Sequence, residues 1–284
     1  MVRMQTSQAD KAERFQRLHA RPGAFVIPNP WDAGTAAILT HLGFEALTTT
    51  SAGLAFTLGR PDGRGLVTRE ETLANARAIA AATDLPVAGD LENGFGDAPE
   101  VVAETIRLAA KAGLVGGSIE DSTGDPARPI YDFQHAVERI AAAAETAHAL
   151  PIPFLLVGRA ENFLHGRPDL DDTIRRLQAY EAAGAAALFA PGLTRPEDIR
   201  TVCASVGKPV NVVMGLKNAA FTVAQLAELG VRRISLGSAL SRAALGAFVR
   251  AARELREQGT FHFADEALPY AEANELVMPA TEGS

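Results

Sequence analysis

The chain has 284 residues, 47% of them hydrophobic and 21% charged, a composition that sustains a sizeable core and excludes wholesale disorder. With 27 basic against 34 acidic residues the formal charge is -7, and no basic stripe with interleaved aromatics occurs, which argues against a nucleic-acid partner. One cysteine, Cys203, excludes an internal disulfide and a cysteine-rich zinc site and suits a reducing cytoplasm.

The first 21 residues carry charges throughout and lack the apolar core of a signal peptide. No run approaches the roughly 20 apolar residues of a membrane span, so a soluble, cytoplasmic protein without membrane attachment is expected. Residues about 7–20 read as an amphipathic leading helix. Short apolar runs then alternate with longer Ala/Leu-rich stretches, the pattern of repeated βα units. Strands are predicted around 24–28, 46–50, 86–90, 116–120, 154–158, 187–190, 209–213 and 232–236. Helices are predicted over 99–112, 133–149, 170–183 and 222–229, with Gly113, Gly184 and Gly230 placed to end three of them.

A strand count near eight without a Pro/Ser-rich linker favours one α/β domain over 1–284, a (β/α)8 TIM-type barrel over about 24–236, rather than an open doubly wound sheet. Two long connections, 51–68 and 121–132, follow strands and so would lie over the active-site face as lids. After the last strand, 239–258 reads as one helix and 265–276 as a second. These C-terminal helices, about 238–276, exceed what a barrel needs and are placed to pack on a neighbouring subunit.

Two consecutive apolar runs end in carboxylates. Asp90 and Glu92 start on one face two residues apart, and Glu120 enters from the next strand, so the three would share one barrel mouth. Hard oxygen ligands converging there suggest a magnesium-type ion, with only one or two direct carboxylates and several waters. The bland alternative is that strand-end acids cap the following helices, as Asp97 and Asp121 would. Arg159 emerges from an apolar strand, where a guanidinium can hold a carboxylate and neutralise an oxyanion, or pair with Glu120 or Glu161. The small residues from Thr48 to Gly53 allow backbone N–H groups to approach an anion. Asp62 is a ligand or base candidate inside a common Pro-Asp-Gly turn. Asn211 is either a substrate contact or a buried structural amide, and His165 is the one histidine placed to act as an acid/base. Cys203 reads as a small buried hydrophobe.

The segments from Pro28 to Ala33, Thr50 to Gly53, Leu58 to Asp62, Asp90 to Gly96 and Ile119 to Asp121, in this order and spacing, resemble the isocitrate lyase and phosphoenolpyruvate mutase superfamily. The resemblance implies a barrel whose last helix is exchanged with a partner, usually in a dimer of dimers. It also implies magnesium or manganese near Asp90, Glu92 and Glu120 with Asp62 nearby. Ser51 and Gly53 would hold an oxo-acid carboxylate, Arg159 would contact substrate oxygens, and Asn211 would face the ligand. The implied chemistry makes or breaks a C–C or P–C bond beside an α-oxo acid through an enolate. Three features depart from the pattern. The 122–129 loop has neither the Cys of the lyases nor the Lys of the mutases, Glu92 stands where many relatives have Asp, and the segment from Phe189 to Gly192 lacks a Glu. A metal-dependent lyase or decarboxylase of a small oxo or hydroxy carboxylate is therefore expected, against a phosphonate mutase or a non-catalytic metabolite-binding barrel.

Overall fold

The computed structural model describes residues 6–215 and 221–278. Eight parallel strands follow the chain: β1 (Phe25–Ile27), β2 (Leu47–Thr48), β3 (Val87–Asp90), β4 (Gly116–Glu120), β5 (Leu155–Arg159), β6 (Ala187–Phe189), β7 (Val210–Val213) and β8 (Arg233–Ser235). They pair as one sheet in the order β1-β8-β7-β6-β5-β4-β3-β2. The remaining seam, between β1 and β2, is bridged by the Thr48 N–H donating to the Pro28 carbonyl at 3.1 Å. Asn29 reinforces it, donating to the Thr49 carbonyl at 2.8 Å and accepting the N–H groups of Leu236 at 2.8 Å and Gly237 at 3.0 Å. The result is the expected, nearly closed (β/α)8 barrel.

Around the strands run α1 (Gln8–Ala20), α2 (Ala33–His41), α3 (Ser51–Thr57), α4 (Arg69–Ala81), α5 (Pro99–Lys111), α6 (Phe133–His148), α7 (Leu170–Ala182), α8 (Pro196–Ser205) and α9 (Val223–Glu228). They are followed by α10 (Ala239–Gln258), a 3-10 turn (His262–Glu266) and α11 (Tyr270–Val277). Local chemistry fixes the starts: Asp32 with Thr35 and Thr68 with Glu71 form reciprocal capping boxes, and Pro99 opens α5. Gly113, Gly184 and Gly230 take φ of +96°, +105° and +97°, so the expected glycine stops are present.

The period-two alternation of the strands separates two cores. Leu47, Val87, Ile119, Leu156, Leu188, Val212 and Ile234 pack outward on the helices. Phe25, Ala46, Ala88, Val157 and Ala187 face the lumen, where they meet Ala12, Phe15 and Leu18 of α1. The leading helix thus plugs the end of the barrel at which the strands begin. Gly116 makes room for the plug, since a Cβ there would lie 3.0 Å from the Phe15 ring and 2.7 Å from the Leu155 carbonyl. Lys11 pins the helix by donating to the Thr83 carbonyl at 2.6 Å.

Three expectations are corrected. The 51–68 connection is not all loop, because Thr50 accepts the Gly53 N–H at 3.2 Å and starts α3. The last helix does not run over 265–276, because Pro269 cannot continue the 3-10 turn and instead precedes α11. Asp97 and Asp121 cap no helix: the N-cap of α5 is Ala98 and that of α6 is Asp132, neither making a side-chain cap bond. Beyond the barrel, α10 buries only Ser241 and exposes Leu245, Phe248, Val249 and Leu255.

Candidate active site

The strand ends bring Asp90, Glu120 and Arg159 together. Glu120 and Arg159 are register partners on β4 and β5, and Asp90 lies opposite Ser118 on the preceding pair. Arg159 Nη1 is 3.1 Å from Glu120 Oε2 and 3.4 Å from Asp90 Oδ1, and its Nε donates to Glu161 Oε1. Its guanidinium carbon lies 5.0 Å from the centre of the Phe189 ring. Burial opposes the guanidinium charge, but Glu120, Glu161 and Asp90 together hold the pKa above its ordinary value.

Each carboxylate has its own support. Asp90 Oδ2 accepts the Ser51 hydroxyl at 2.8 Å and the Ser51 N–H at 3.1 Å, and the Asp90 N–H donates to Thr49 Oγ1 at 2.9 Å. Asp121 ties the strands behind the site: its Oδ1 accepts the Glu161 N–H at 2.8 Å, while its Oδ2 accepts Tyr180 at 2.7 Å and Arg176 at 2.9 Å. This is why Asp121 serves no cap and is 3% exposed.

Glu92 sits at φ +47° and Phe95 at φ +63°, left-handed conformations that cost energy for residues with a Cβ. Arg139, reaching over from α6, holds that turn by donating to the carbonyls of Asn93, Gly96 and Asp97. Its guanidinium carbon lies 4.2 Å from the centre of the Tyr131 ring, and the Tyr131 hydroxyl donates to Asp97. Burial, then the nearby charges of Asp90 and Asp62, push the Glu92 carboxyl up to about 7. Burial likewise raises Glu120, with Arg159 opposing and Glu161, Asp90 and Glu92 adding to it, and burial raises Glu161 against the pull of Arg159.

Two connected chambers open on these groups. The inner one, of about 260 Å³, extends from Ser51, Asp62 and Asp90 down the lumen past Asn211 to Arg233. The outer one, of about 620 Å³, is walled by Glu92, Glu120, Glu161, His165 and the 122–126 segment. Ser51, Asp62, Leu164 and Arg159 border both. His165 Nε2 stands 3.6 Å from Glu161 Oε2. The loop after Asp121 closes on itself through a Ser122–Ile130 bridge and carries Arg128 outward, 3.7 Å from Asp125 and largely exposed.

Of the residues expected at the site, Ser51, Asp62, Asp90, Glu92, Glu120, Arg159 and Asn211 border a chamber. Gly53 is buried one step behind, where a Cβ would lie 2.6 Å from Thr50 and 3.0 Å from Trp31. Cys203 lies on α8, half-buried, with burial pushing its thiol up to about 11, as suits an inert side chain. Sequence reasoning missed Asn29, Arg139 and Arg233. Asn29 lies inside the Pro28 to Ala33 segment that carries the resemblance, which gives it no role, and Arg139 and Arg233 stand in an ordinary helix and at a strand start, where nothing local marks them.

No three His, Cys, Asp or Glu side chains among the described residues form a ready-made cage for a metal. The donor set is nevertheless that of a hard cation. Asp90, Glu120 and Glu161 surround one guanidinium, Asp62 and Glu92 lie within reach of its charge, and burial with mutual repulsion raises Glu92. Formal negative charge in excess of the Arg, with no three of these side chains placed as a cage, fits an ion held largely through its own water.

The phosphoenolpyruvate phosphomutase family profile matches residues 15–256. The structure described as a putative lyase/mutase from Burkholderia cenocepacia J2315 is 59% identical, with a TM-score of 0.92 over 94% of this chain and 95% of its own. An uncharacterized protein of Mycobacterium tuberculosis, Rv1998c, is 33% identical over 91% of this chain and 93% of its own length. The 2-methylisocitrate lyase of Halalkalibacterium halodurans is 28% identical over 92% and 87%.

Proposed function

The chain belongs to the phosphoenolpyruvate phosphomutase family, within the isocitrate lyase and phosphoenolpyruvate mutase superfamily, and from that premise we propose a divalent-metal-dependent carbon–carbon lyase. Its substrate is a small α-oxo or hydroxy carboxylate, cleaved through an enolate. One observation carries the reading: Arg159 is the centre of a carboxylate-walled mouth whose negative charge exceeds its own positive charge. An anionic substrate enters such a mouth only with a cation beside it, and Asp90, Glu92 and Glu120 are the residues that would hold magnesium or manganese, directly or through water. When bound, that ion supplies positive charge opposite the oxyanion that develops as the carbon–carbon bond breaks.

The chain's own residues divide the remaining work. Ser51, at the start of α3, orients the substrate carboxylate together with Arg159. Asp90 fixes Ser51 through two hydrogen bonds, and Glu120 and Glu161 fix the guanidinium, so the clamp needs little rearrangement as charge moves. Asp62 borders both chambers beside the reacting end. For an oxo diacid, the electron pair of the bond to the departing carboxylate passes into the α-oxo group as the enolate while carbon dioxide leaves, and a proton then returns to carbon. A hydroxy acid would give its hydroxyl proton to a mouth carboxylate as the carbonyl forms, the electron pair of the broken bond going to the departing acid fragment, which then takes up a proton at carbon. The 122–129 loop offers no thiol or ammonium for that proton, so we assign its delivery to His165, which Glu161 orients from 3.6 Å. Decarboxylation of an oxo diacid suits this arrangement, since carbon dioxide leaves without needing a proton. A mutase, which handles a phosphorus group, is less well served, because Arg128 points outward.

The exposed apolar side of α10 supports a homo-oligomer, in which a second copy covers Phe248 and its neighbours and exchanges the C-terminal helices in a dimer of dimers. Sedimentation equilibrium at a mass of one chain would refute this. Among the described residues no helix is long and apolar enough to cross a membrane. The activity is tested by incubating the protein with magnesium and a panel of oxo and hydroxy diacids. Release of pyruvate or carbon dioxide from a member of the panel is expected; none from any, with metal bound, would contradict the reading.

A further inference from the structure

Both of the left-handed residues other than glycine among the described residues fall in one turn beside the site. Glu92 has φ +47° and Phe95 φ +63°, with Gly94 at φ +80° between them. A residue with a Cβ disfavours that conformation, which persists only where the surroundings impose it. From one side α5 imposes it: a Cβ on Gly94 would lie 3.0 Å from Val102 and one on Gly96 2.6 Å from Val101, and Thr105 Oγ1 donates to the Gly94 carbonyl at 2.7 Å. From the other side the Arg139 guanidinium donates to the carbonyls of Asn93, Gly96 and Asp97.

Arg139 is 1% exposed. Its guanidinium carbon lies 4.2 Å from the centre of the Tyr131 ring, and the Tyr131 hydroxyl donates to the Asp97 carboxylate of the same turn. Tyr131 ends the loop that follows β4, where its N–H donates to the Asp121 carbonyl at 2.8 Å. The turn is thus gripped by α6 and by the base of that loop. At its start the Glu92 carbonyl accepts the Glu120 N–H at 3.0 Å, which joins the turn to the end of β4. A buried guanidinium whose hydrogen bonds go to backbone carbonyls has given up its hydration for neutral acceptors, and without it three carbonyls of a strained turn would lose their donor. What the arrangement fixes is the course of the backbone directly after Glu92, and Glu92 borders the outer chamber with Glu120.

We propose that Arg139 is a positioning residue for the cation site: backed by Tyr131, it locks the turn from Asn93 to Asp97 and so keeps Glu92 in place to hold the ion together with Asp90 and Glu120. This rests on the reading of Glu92 as a residue that holds the ion, directly or through water, and adds the group that sets its place. Arg139 lines neither chamber, so its influence on the ion runs through Glu92. The loop after β4, whose base carries Tyr131, and the cation site are linked by this one guanidinium.

The test measures manganese affinity of the full chain by electron paramagnetic resonance, with a urea midpoint recorded for each variant. Wild type is compared with Arg139→Met, Arg139→Lys, Glu92→Gln and the combination of each Arg139 change with Glu92→Gln. Arg139→Met is expected to weaken manganese binding about 10- to 100-fold, the range for a group that orients a metal ligand, and Glu92→Gln to weaken it at least as much. Arg139→Lys, which keeps the charge without the fork, is expected to lose less, about threefold or more, and it decides the matter if the Met variant does not fold. In the Glu92→Gln background either Arg139 change is expected to cost no more than about twofold further, because its route to the ion is already gone. Folded Arg139 variants of lowered stability but unchanged manganese affinity would overturn the proposal and leave Arg139 a structural residue. Losses that add in full in the double variants would overturn it as well, since Arg139 would then act on the ion by another route. Manganese affinity unchanged in Glu92→Gln alone, or no binding by wild type, would instead contradict the reading of the mouth on which the proposal rests.

Discussion

Glu120 Oε2 and Arg159 Nη1 lie 3.1 Å apart on register-paired residues of neighbouring strands, both largely buried at the wall of the outer chamber. A pair made between adjoining strand ends has little freedom to separate, so the guanidinium is held in place before any substrate arrives. Arg159→Met leaves Glu120 and Glu161 buried without their counter-charge, a loss of about 3–5 kcal/mol in stability. Arg159→Lys restores a charge but not the fork; it is expected to recover most of the stability while kcat/KM stays about 100-fold or more below wild type. Denaturant midpoints and steady-state rates on the two variants separate the roles, and a Lys variant as active as wild type would remove Arg159 from the chemistry.

His165 reaches the outer chamber from the loop after β5, with Glu161 behind it. His165→Asn is expected to lower kcat about 100-fold, the lower end of what a positioned acid or base contributes, while leaving oxo-acid binding within about twofold. An unchanged kcat would mean that the proton comes from solvent.

His19 predicts a pH dependence of stability that is independent of the site. It lies on α1 between Phe15 and Phe25, at ring separations of 4.6 and 5.0 Å, and its Nδ1–H donates to the Phe15 carbonyl at 2.9 Å. Burial, then the charge on Arg233, pushes its pKa down to about 3. Since the unfolded imidazole titrates near 6.5, the unfolded chain binds a proton that the folded chain refuses between about pH 6.5 and 3. Stability is therefore unaffected by this group above pH 6.5 and falls by about 1.4 kcal/mol per unit as the pH drops through that window. In urea unfolding at pH 7 and pH 5, His19→Leu should lose about 2 kcal/mol less than wild type over the interval. Parallel losses in the two proteins would contradict a neutral buried His19.

The eight strands were legible because each is a short apolar run bounded by helix stops, and because Asp90, Glu120 and Arg159 follow such runs directly. What was not legible follows from how weak the local signals are. Thr50 and Ser51 look like loop residues, yet the Thr50 hydroxyl on the Gly53 N–H makes a helix of them. The 265–276 stretch is periodic enough for a helix, and Pro269 divides it. Arg232 and Arg233 read as a basic pair at a strand start, but alternation sends one to the surface and the other into the lumen, and that choice depends on barrel closure. Asp121 resembles a cap because acids before loops usually are; its three bonds to Glu161, Arg176 and Tyr180 come from residues 40 to 59 positions away.

The central claim is that the carboxylates at the ends of β3 and β4 take up a divalent cation and, with it, an oxo acid. Titration of manganese into the protein, followed by electron paramagnetic resonance with and without pyruvate, measures this directly. Wild type is expected to bind about one ion per chain, more tightly when pyruvate is present, and Asp90→Ala is expected to weaken binding about 10- to 100-fold or more, the lower range being that for a group that holds the ion through water. Manganese bound equally well by wild type and Asp90→Ala, with no effect of pyruvate on either, would contradict the account.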